Sequence, residues 1–212
     1  MSRRLPIYIA IDTSGSMNGE PIQSVNVGLQ AMATALRQDP HALDAVHLSI
    51  ITFDINIQEL FPLTPLDQVQ IPEIVCPKSG ATSMGQVLEL IFERVQRDVV
   101  ISSEEKKGDW RPMLFIMTDG SPSDIALFNA MVPKIKSCKF AQIVACAAGP
   151  KAKTEYLKKI TDTVVSLDTT DSSAFASFFK WVSNSVGMKS TGIGSDNSNT
   201  LPPPPDEIQI VL

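Results

Sequence analysis

The apolar run LPIYIAI (5–11) limits the possible fold more than any other feature of this 212-residue sequence. It lacks alternating polar residues, a pattern typical of a strand buried on both faces of a parallel sheet. After it, apolar residues at three- and four-residue spacing, from Ile22 to Leu36, predict an amphipathic helix. Parallel strands need such crossover helices, and strand-like and helical patterns continue to alternate along the chain. The sequence therefore predicts an α/β fold.

Six strands are predicted, and one of them is antiparallel. The runs VHLSIITF (46–53) and IQELFPL (57–63) are separated by only three residues, which permits a hairpin but no crossover. Pro62 and Pro65 place the second of these strands at an edge of the sheet. The remaining strands are predicted at 5–11, 113–118, 141–148 and 163–167. We expect a doubly wound, mostly parallel six-stranded sheet with one antiparallel edge strand and helices on both faces.

The apolar stripes predict further helices, and local signals predict how some of them begin or break. The most regular stripe runs from Met84 to Val95, and Ser83 with Gln86 matches a capping box at its start. Pro133 is expected to kink or split the helix that follows the strand at 113–118. Shorter stripes predict a helix near 156–160 and a closing helix over 175–186.

A change of composition predicts one domain over 1–186 and a tail over 187–212. The tail is polar, then contains four prolines at 202–205, and ends in the strand-like EIQIVL. The prolines suit either a polyproline recognition element or a stiff spacer that lays the final residues against the domain or a partner strand. We favour docking because the last residues are apolar.

Charge and cysteine content exclude several classes of protein. A net charge of −5 offers no basic field for nucleic acid. The three cysteines contain no C-x-x-C pair, so neither a disulfide framework nor a zinc knuckle is indicated. No apolar segment approaches the length of a membrane span, and the N-terminal run meets Asp12 too early for a signal peptide. A reducing cytoplasm is the expected location.

Polar residues follow two strands and precede one helix at positions that should meet at one edge of the sheet. Asp12, Ser14 and Ser16 follow the first strand, Asp119 follows the strand at 113–118, and Thr82 precedes a helix. Ligands of open parallel sheets bind at the carboxyl ends of the strands. Carboxylates and hydroxyls are hard oxygen donors that suit Mg²⁺, or alternatively Mn²⁺. The arrangement predicts a metal site that would accept a further anionic ligand.

Each of these motifs has a simpler interpretation when it is taken alone. The stretch from Asp12 to Ser16 resembles a turn with a helix cap, and Asp119-Gly120 resembles an ordinary turn. Thr82-Ser83 alone is ordinary capping. The combination of all three at the predicted sheet edge favours the metal site.

The same residues carry a resemblance to a known family. D-x-S-x-S at 12–16, the threonine of SGATSMG (79–85) and TDG at 118–120 resemble the metal-ion-dependent adhesion site, or MIDAS, of von Willebrand factor A (VWA) domains. The resemblance covers residues 5–186. It implies direct metal binding by Ser14, Ser16 and Thr82, with Asp12 and Asp119 acting directly or through water. It also implies a sheet with one short antiparallel edge strand.

Stretches outside the metal motif resemble a bacterial branch of that family encoded in tellurium-resistance gene clusters. They include ALRQDP (35–40), KGDWRP (107–112) and LPPPPDEI (201–208). The resemblance implies a scaffold that works with a Ser/Thr protein kinase and a PP2C-type phosphatase. Trp110 lies within one of these stretches. Its ring could anchor a partner or cover the end of a strand, and we favour the second interpretation.

Three functions remain as hypotheses. The favoured one is a non-enzymatic module that binds a partner's acidic residue through the metal. The alternative is a magnesium-dependent phosphotransfer enzyme with Asp12 as nucleophile, although the acid needed two residues later is replaced by Ser14. A third, direct tellurite chemistry at the cysteines, is disfavoured because the thiols are scattered. No P-loop or G-x-S-x-G elbow occurs.

Overall fold

Seven strands form one sheet in the computed structural model, which describes residues 3–78, 80–103, 107–149, 152–167, 172–190, 201–205 and 208–211. The strands are β1 (Leu5–Asp12), β2 (Val46–Phe53), β3 (Ile57–Pro65), β4 (Met113–Thr118), β5 (Gln142–Ala148), β6 (Val164–Leu167) and β7 (Ile208–Ile210). Their order is β3-β2-β1-β4-β5-β6-β7. The five central strands run parallel, whereas β3 and β7 are antiparallel to their neighbours.

The predicted doubly wound sheet is confirmed, and so is the hairpin that places β3 at an edge. The number of strands differs by one, because the C-terminal segment adds β7 beside β6. Edge strands leave unpaired main-chain groups, and β7 covers those of β6. The docking expected for the end of the tail therefore occurs within the chain, at the sheet edge far from β3.

Helices cover both faces of the sheet. They are α1 (Glu20–Gln38), α2 (Pro40–Ala45), α3 (Met84–Asp98), α4 (Ile125–Ser137), α5 (Thr154–Ile160) and α6 (Ser172–Ser190). One buried cluster joins α1, α2 and α6 to one face, and a second joins α3, α4 and α5 to the other. Alternate side chains of β1 enter the two clusters, so the apolar run at 5–11 is buried on both faces as predicted.

Pro133 does not split its helix, so that part of the expectation is wrong. α4 continues through it from Ile125 to Ser137. Pro133 and Asn129, whose carbonyl would accept the hydrogen bond that proline cannot donate, are both exposed. Water can satisfy that carbonyl, which reduces the cost of an interior proline.

Removal of the chain after Leu201 is expected to lower the free energy of unfolding by about 2 kcal/mol or more. Ile208 is 4% exposed, and burial of an isoleucine contributes roughly 1.5–3 kcal/mol. The indole of Trp181 also donates to the Pro202 carbonyl at 2.8 Å. Urea denaturation provides the measurement. Ile208→Ser should reproduce much of the loss, and Ile210→Ser, at a side chain that is 48% exposed, should not. Equal stability of the truncated chain would contradict docking of the tail.

Tyr8→Phe is expected to leave stability unchanged or to raise it by about 1–2 kcal/mol. The Tyr8 side chain is fully buried, and its hydroxyl has no hydrogen-bond partner. A buried unsatisfied polar group costs about 1–3 kcal/mol, and phenylalanine keeps the ring. Urea denaturation of Tyr8→Phe beside Tyr156→Phe, at a half-buried tyrosine, tests this. A clear loss at Tyr8 alone would mean that its hydroxyl is satisfied in solution.

Candidate metal centre

The sequence-predicted site residues meet at the carboxyl edge of the central strands. β1 and β4 are adjacent and parallel, so the residues that follow them emerge side by side. Asp12 ends β1, Asp119 follows β4, and Thr82 lies two residues before α3. Tertiary structure thus gathers three segments that are far apart in sequence.

The first loop is organised around the carboxylate of Asp12. This side chain is fully buried, and its Oδ1 accepts a hydrogen bond from the Ser14 amide at 2.8 Å. Its Oδ2 accepts from the Thr118 hydroxyl at 2.5 Å. A single 3₁₀ turn over 15–17 follows, and the hydroxyl oxygens of Ser14 and Ser16 lie 3.3 Å apart. Two hydroxyls therefore stand beside a buried carboxylate, as the spacing of the motif predicts.

The other two loops approach this carboxylate closely. A Cβ placed on Gly120 would lie 3.0 Å from the Thr82 hydroxyl oxygen and 3.8 Å from Asp12 Oδ2. Gly120 therefore lies where the Thr82 side chain and Asp12 converge, and a larger residue would press on Thr82. The Ser123 amide donates to the Thr82 carbonyl at 2.9 Å, which ties the loop after β4 to the loop before α3.

Among the described residues, neither Asp12 nor Asp119 forms an ion pair with a cationic side chain. Burial raises the pKa of Asp12 to about 6, and the negative charge of Asp119 adds to this rise, against hydrogen bonds from Thr118 and Ser14. Asp119 Oδ1 is buried and accepts no hydrogen bond. An orphaned buried carboxylate oxygen is costly unless a cation or donor satisfies it. A divalent cation would satisfy it and balance both charges.

The donor set suits a hard cation. Within the described part of the chain, no three His, Cys, Asp or Glu side chains gather as a metal-binding group, so a site here depends on hydroxyls. Two carboxylates and the hydroxyls of Ser14, Ser16 and Thr82 provide only oxygen donors, which Mg²⁺ and Mn²⁺ prefer. Ser16 is exposed whereas Ser14 and Thr82 are buried, so the site opens to solvent on one side.

The capping box predicted at the start of α3 is wrong. Ser83 makes no side-chain capping bond there. Instead Asp124, from the loop after β4, accepts the amides of Gly85 and Gln86, both at 2.9 Å. A carboxylate favours the positive end of a helix, and this one holds the first turn of α3, two residues after Thr82. The aspartate that ends TDGSPSD was the available signal, but its partners lie 39 and 38 residues away.

Sequence reasoning also missed Asp54 and Cys76, which lie near the site. Asp54 follows β2, is 3% exposed, and its carbonyl accepts the Ser83 amide at 2.8 Å. The pKa of Cys76 is raised to about 11, mainly by burial and then by the charges of Asp12, Asp119 and Asp54. The irregular segment that carries Cys76 lies along α1.

Asn26 on α1 holds that segment by two hydrogen bonds. Its amide donates to the Ile74 carbonyl and its oxygen accepts from the Ile74 amide, both at 2.8 Å. Gln30 donates to the Ile71 carbonyl at 3.0 Å, one turn further along α1. Side chains of α1 thus form hydrogen bonds with main-chain groups of a segment that has no strand or helix of its own.

Residues 7–180 match the model of the von Willebrand factor type A domain family. The match covers most of the chain and includes every residue of the site. The protein therefore belongs to the VWA family, as the resemblance of its three motifs predicted. No curated protein matches the sequence significantly. Among the described residues, no helix has the length and apolar composition required to cross a bilayer.

Solved structures share the fold at low sequence identity. Proximal thread matrix protein 1 of the mussel byssus has a TM-score of 0.62 at 18% identity, over 86% of this chain and 48% of that one. Another structure of that protein, with a zinc-occupied MIDAS motif, has a TM-score of 0.61 at 17% identity, with the same coverage of both chains. The pilus adhesin SpaC of Lactobacillus rhamnosus GG has a TM-score of 0.67 at 13% identity, over 89% of this chain and 30% of that one. The chain thus spans less than half of each.

Proposed function

We propose that this VWA domain is a non-enzymatic, metal-dependent protein-interaction module. One divalent cation, Mg²⁺ or alternatively Mn²⁺, is held by Asp12, Ser14, Ser16, Thr82 and Asp119. The observation that carries the proposal is the buried, unpartnered Oδ1 of Asp119 beside the buried carboxylate of Asp12. When bound, the metal supplies Lewis acidity toward an incoming anion.

The proposed ligands have two different roles. The hydroxyl oxygens of Ser14, Ser16 and Thr82 would bind the metal without adding charge, so the two carboxylates alone would balance one divalent cation. Both oxygens of Asp12 accept hydrogen bonds, which hold this carboxylate in one orientation. A carboxylate from a partner's Asp or Glu is the natural further ligand, because the site is open to solvent beside Ser16 and a bound divalent cation accepts anionic oxygen ligands.

The alternative, phosphotransfer through Asp12, has less support. A nucleophilic carboxylate must reach its substrate, but the Asp12 side chain is fully buried and both oxygens are engaged. Ser14 occupies the position where such enzymes need an acid. We expect no hydrolysis of p-nitrophenyl phosphate by the protein with Mg²⁺. Turnover that Asp12→Asn abolishes would establish the enzyme and contradict the interaction module.

The wider setting that the sequence supports is a tellurite- and stress-resistance signalling complex. Stretches such as KGDWRP (107–112) resemble TerY, a VWA protein of bacterial tellurium-resistance clusters. On this proposal the partners are a Ser/Thr kinase and a PP2C-type phosphatase, and the domain acts as their scaffold.

The proposal assigns no chemical role to the cysteines. The three cysteines are free, and burial raises the pKa of the Cys146 thiol far above its ordinary value. Replacement of all three by serine should leave resistance intact.

Affinity capture from the native cell tests the interaction. Wild type and Thr82→Ala are compared side by side, each in Mg²⁺ and in EDTA. We expect the kinase and phosphatase with wild type in Mg²⁺ only. Capture that survives both chelation and Thr82→Ala would contradict a metal-mediated contact. Metal-dependent capture of other proteins would retain the module but replace the proposed partners.

A further inference from the structure

A second concave surface lies at the amino edge of the sheet, opposite the metal centre. It is a groove of about 400 Å³ between the ends of α3 and α4 and two chain segments, 99–102 and 109–112, and we call it the basal groove. At ~3.3 Å per residue, the eight residues of β1 separate the two edges by roughly 23 Å. No residue of the metal centre lines the basal groove.

The loop that forms one wall of the groove is firmly braced. The Asp109 amide donates to the Val100 carbonyl and the Val100 amide donates to Asp109 Oδ2, both at 2.8 Å. The Gly108 amide donates to the Ser102 hydroxyl at 2.9 Å. Arg4 also pairs with the Asp109 carboxylate at 2.6 Å. Residues 100 and 102 are therefore fixed against residues 108 and 109.

Ile101 stands between these two fixed residues and is 87% exposed, the highest value among the large hydrophobic residues described. Its backbone cannot turn inward, because Gly108 approaches so closely that a Cβ there would lie 2.5 Å from the Ile101 carbonyl carbon. An aliphatic side chain held in water contributes nothing to folding, whereas burial against a partner would stabilise a complex. The braced loop therefore presents Ile101 outward.

The charged side chains described along the groove are mostly positive, although the whole chain carries −5. Among the described residues, the charged side chains that line it are Arg3, Arg111, Lys139 and Asp109, and Asp109 is paired with Arg4. The Arg3 guanidinium lies 4.0 Å over the Trp110 ring and donates to main-chain carbonyls. Within the part of the chain that the structure describes, Arg3 forms no ion pair with a carboxylate. Arg111 and Lys139 are exposed at the rim.

We propose that the basal groove binds an acidic peptide segment of a partner protein. A large apolar residue of the segment packs against Ile101 and Val100. The carboxylates of the segment pair with Arg111 and Lys139. Charge complementarity selects an acidic partner over a basic one, and the exposed aliphatic residue supplies the anchor. With a metal centre at the other edge, one domain could hold two partners at once, which is what a scaffold requires.

Fluorescence anisotropy of the full chain with three labelled dodecapeptides tests the proposal, in a buffer containing EDTA. One peptide carries glutamates around a central leucine, the second replaces that leucine with serine, and the third replaces the glutamates with lysines. We expect the glutamate–leucine peptide to bind at least tenfold more tightly than either other peptide, and to weaken as salt is raised. Equal binding of the serine peptide would overturn the proposal.

Surface variants locate the binding. Ile101→Ser and Arg111→Glu should each weaken the glutamate–leucine peptide at least fivefold, with unchanged thermal midpoints. Val27→Ser is the matched control, since Val27 is 66% exposed on α1 and should leave binding unchanged. Binding that Ile101→Ser does not affect, or that needs Mg²⁺, would overturn the proposal. Self-association abolished by Ile101→Ser would assign the face to a second copy and would also overturn it.

Discussion

Thr82→Ala is expected to abolish the stabilisation of the fold by Mg²⁺. A ligand that binds only the folded state stabilises it by about 2.7 kcal/mol at a concentration near 100 times its Kd. For a chain of this size, that corresponds to a rise of roughly 5–10 °C in the thermal midpoint. In the proposed ligand set, Thr82 is one of three hydroxyl ligands and comes from a loop of its own, close to Gly120 and Asp12. Without it, the wild-type shift should disappear.

Matched variants separate loss of a ligand from loss of structure. Thr82→Ser retains the hydroxyl and should recover most of the Mg²⁺-dependent shift. Thr34→Ala is the control for threonine removal, since the exposed Thr34 bonds only to the Gln30 carbonyl of its own helix. Asp119→Ala should behave like Thr82→Ala, because it removes the orphaned carboxylate. A full Mg²⁺ shift in both alanine variants would contradict the proposed ligand set.

Gly85→Ala is expected to destabilise the fold by about 2–3 kcal/mol and to weaken metal binding at the same time. A Cβ at residue 85 would lie 2.5 Å from the Phe128 amide nitrogen and 2.8 Å from Asp124 Oδ2. Main-chain atoms of α4 cannot yield as a flexible side chain would, so α3 and α4 must separate. Alanine normally favours a helix over glycine by about 1 kcal/mol, and here the collision outweighs that gain.

The effect on the metal follows from the capping bonds. Separation of the helices would pull Asp124 from the Gly85 and Gln86 amides and displace the adjoining Thr82. Gly80→Ala is the control in the preceding loop, because a Cβ there meets nothing within 4 Å. Urea denaturation in EDTA measures the intrinsic loss, and the Mg²⁺-dependent shift measures the site. Unchanged stability of Gly85→Ala would mean that the two helices approach less closely in solution.

The positions of the candidate metal ligands could be predicted from sequence because their signals are local. Each follows or precedes an element whose type is set by hydrophobic periodicity, and each belongs to a residue class that such loops favour. Parallel topology then requires the ends of β1 and β4 to meet, so Asp12 and Asp119 could be assigned to one edge. Their use as a metal site stays a prediction that the Mg²⁺ measurements test.

Other features of the site depend on contacts that no local pattern encodes. Asp124 caps α3 from a different loop, whereas the side chain of Ser83, the predicted cap, makes no capping hydrogen bond. Asp54 and Cys76 reach the site only because β2 adjoins β1 and because Asn26 holds the irregular segment along α1. Pro133 was tolerated because the carbonyl it leaves free is on the exposed side of α4.

The sequence by itself determined the class of fold and the candidate ligands. Strand runs, helical stripes and turn residues act over a few positions, and they agree with one another along this chain. Only the tertiary structure decided that residues 208–210 complete the sheet beside β6. It also decided that the exposed Ile101 lies at a groove lined in part by Arg3, Arg111 and Lys139. Both outcomes depend on main-chain groups and charges that are brought together from distant segments. They therefore depend on the packing of the whole domain.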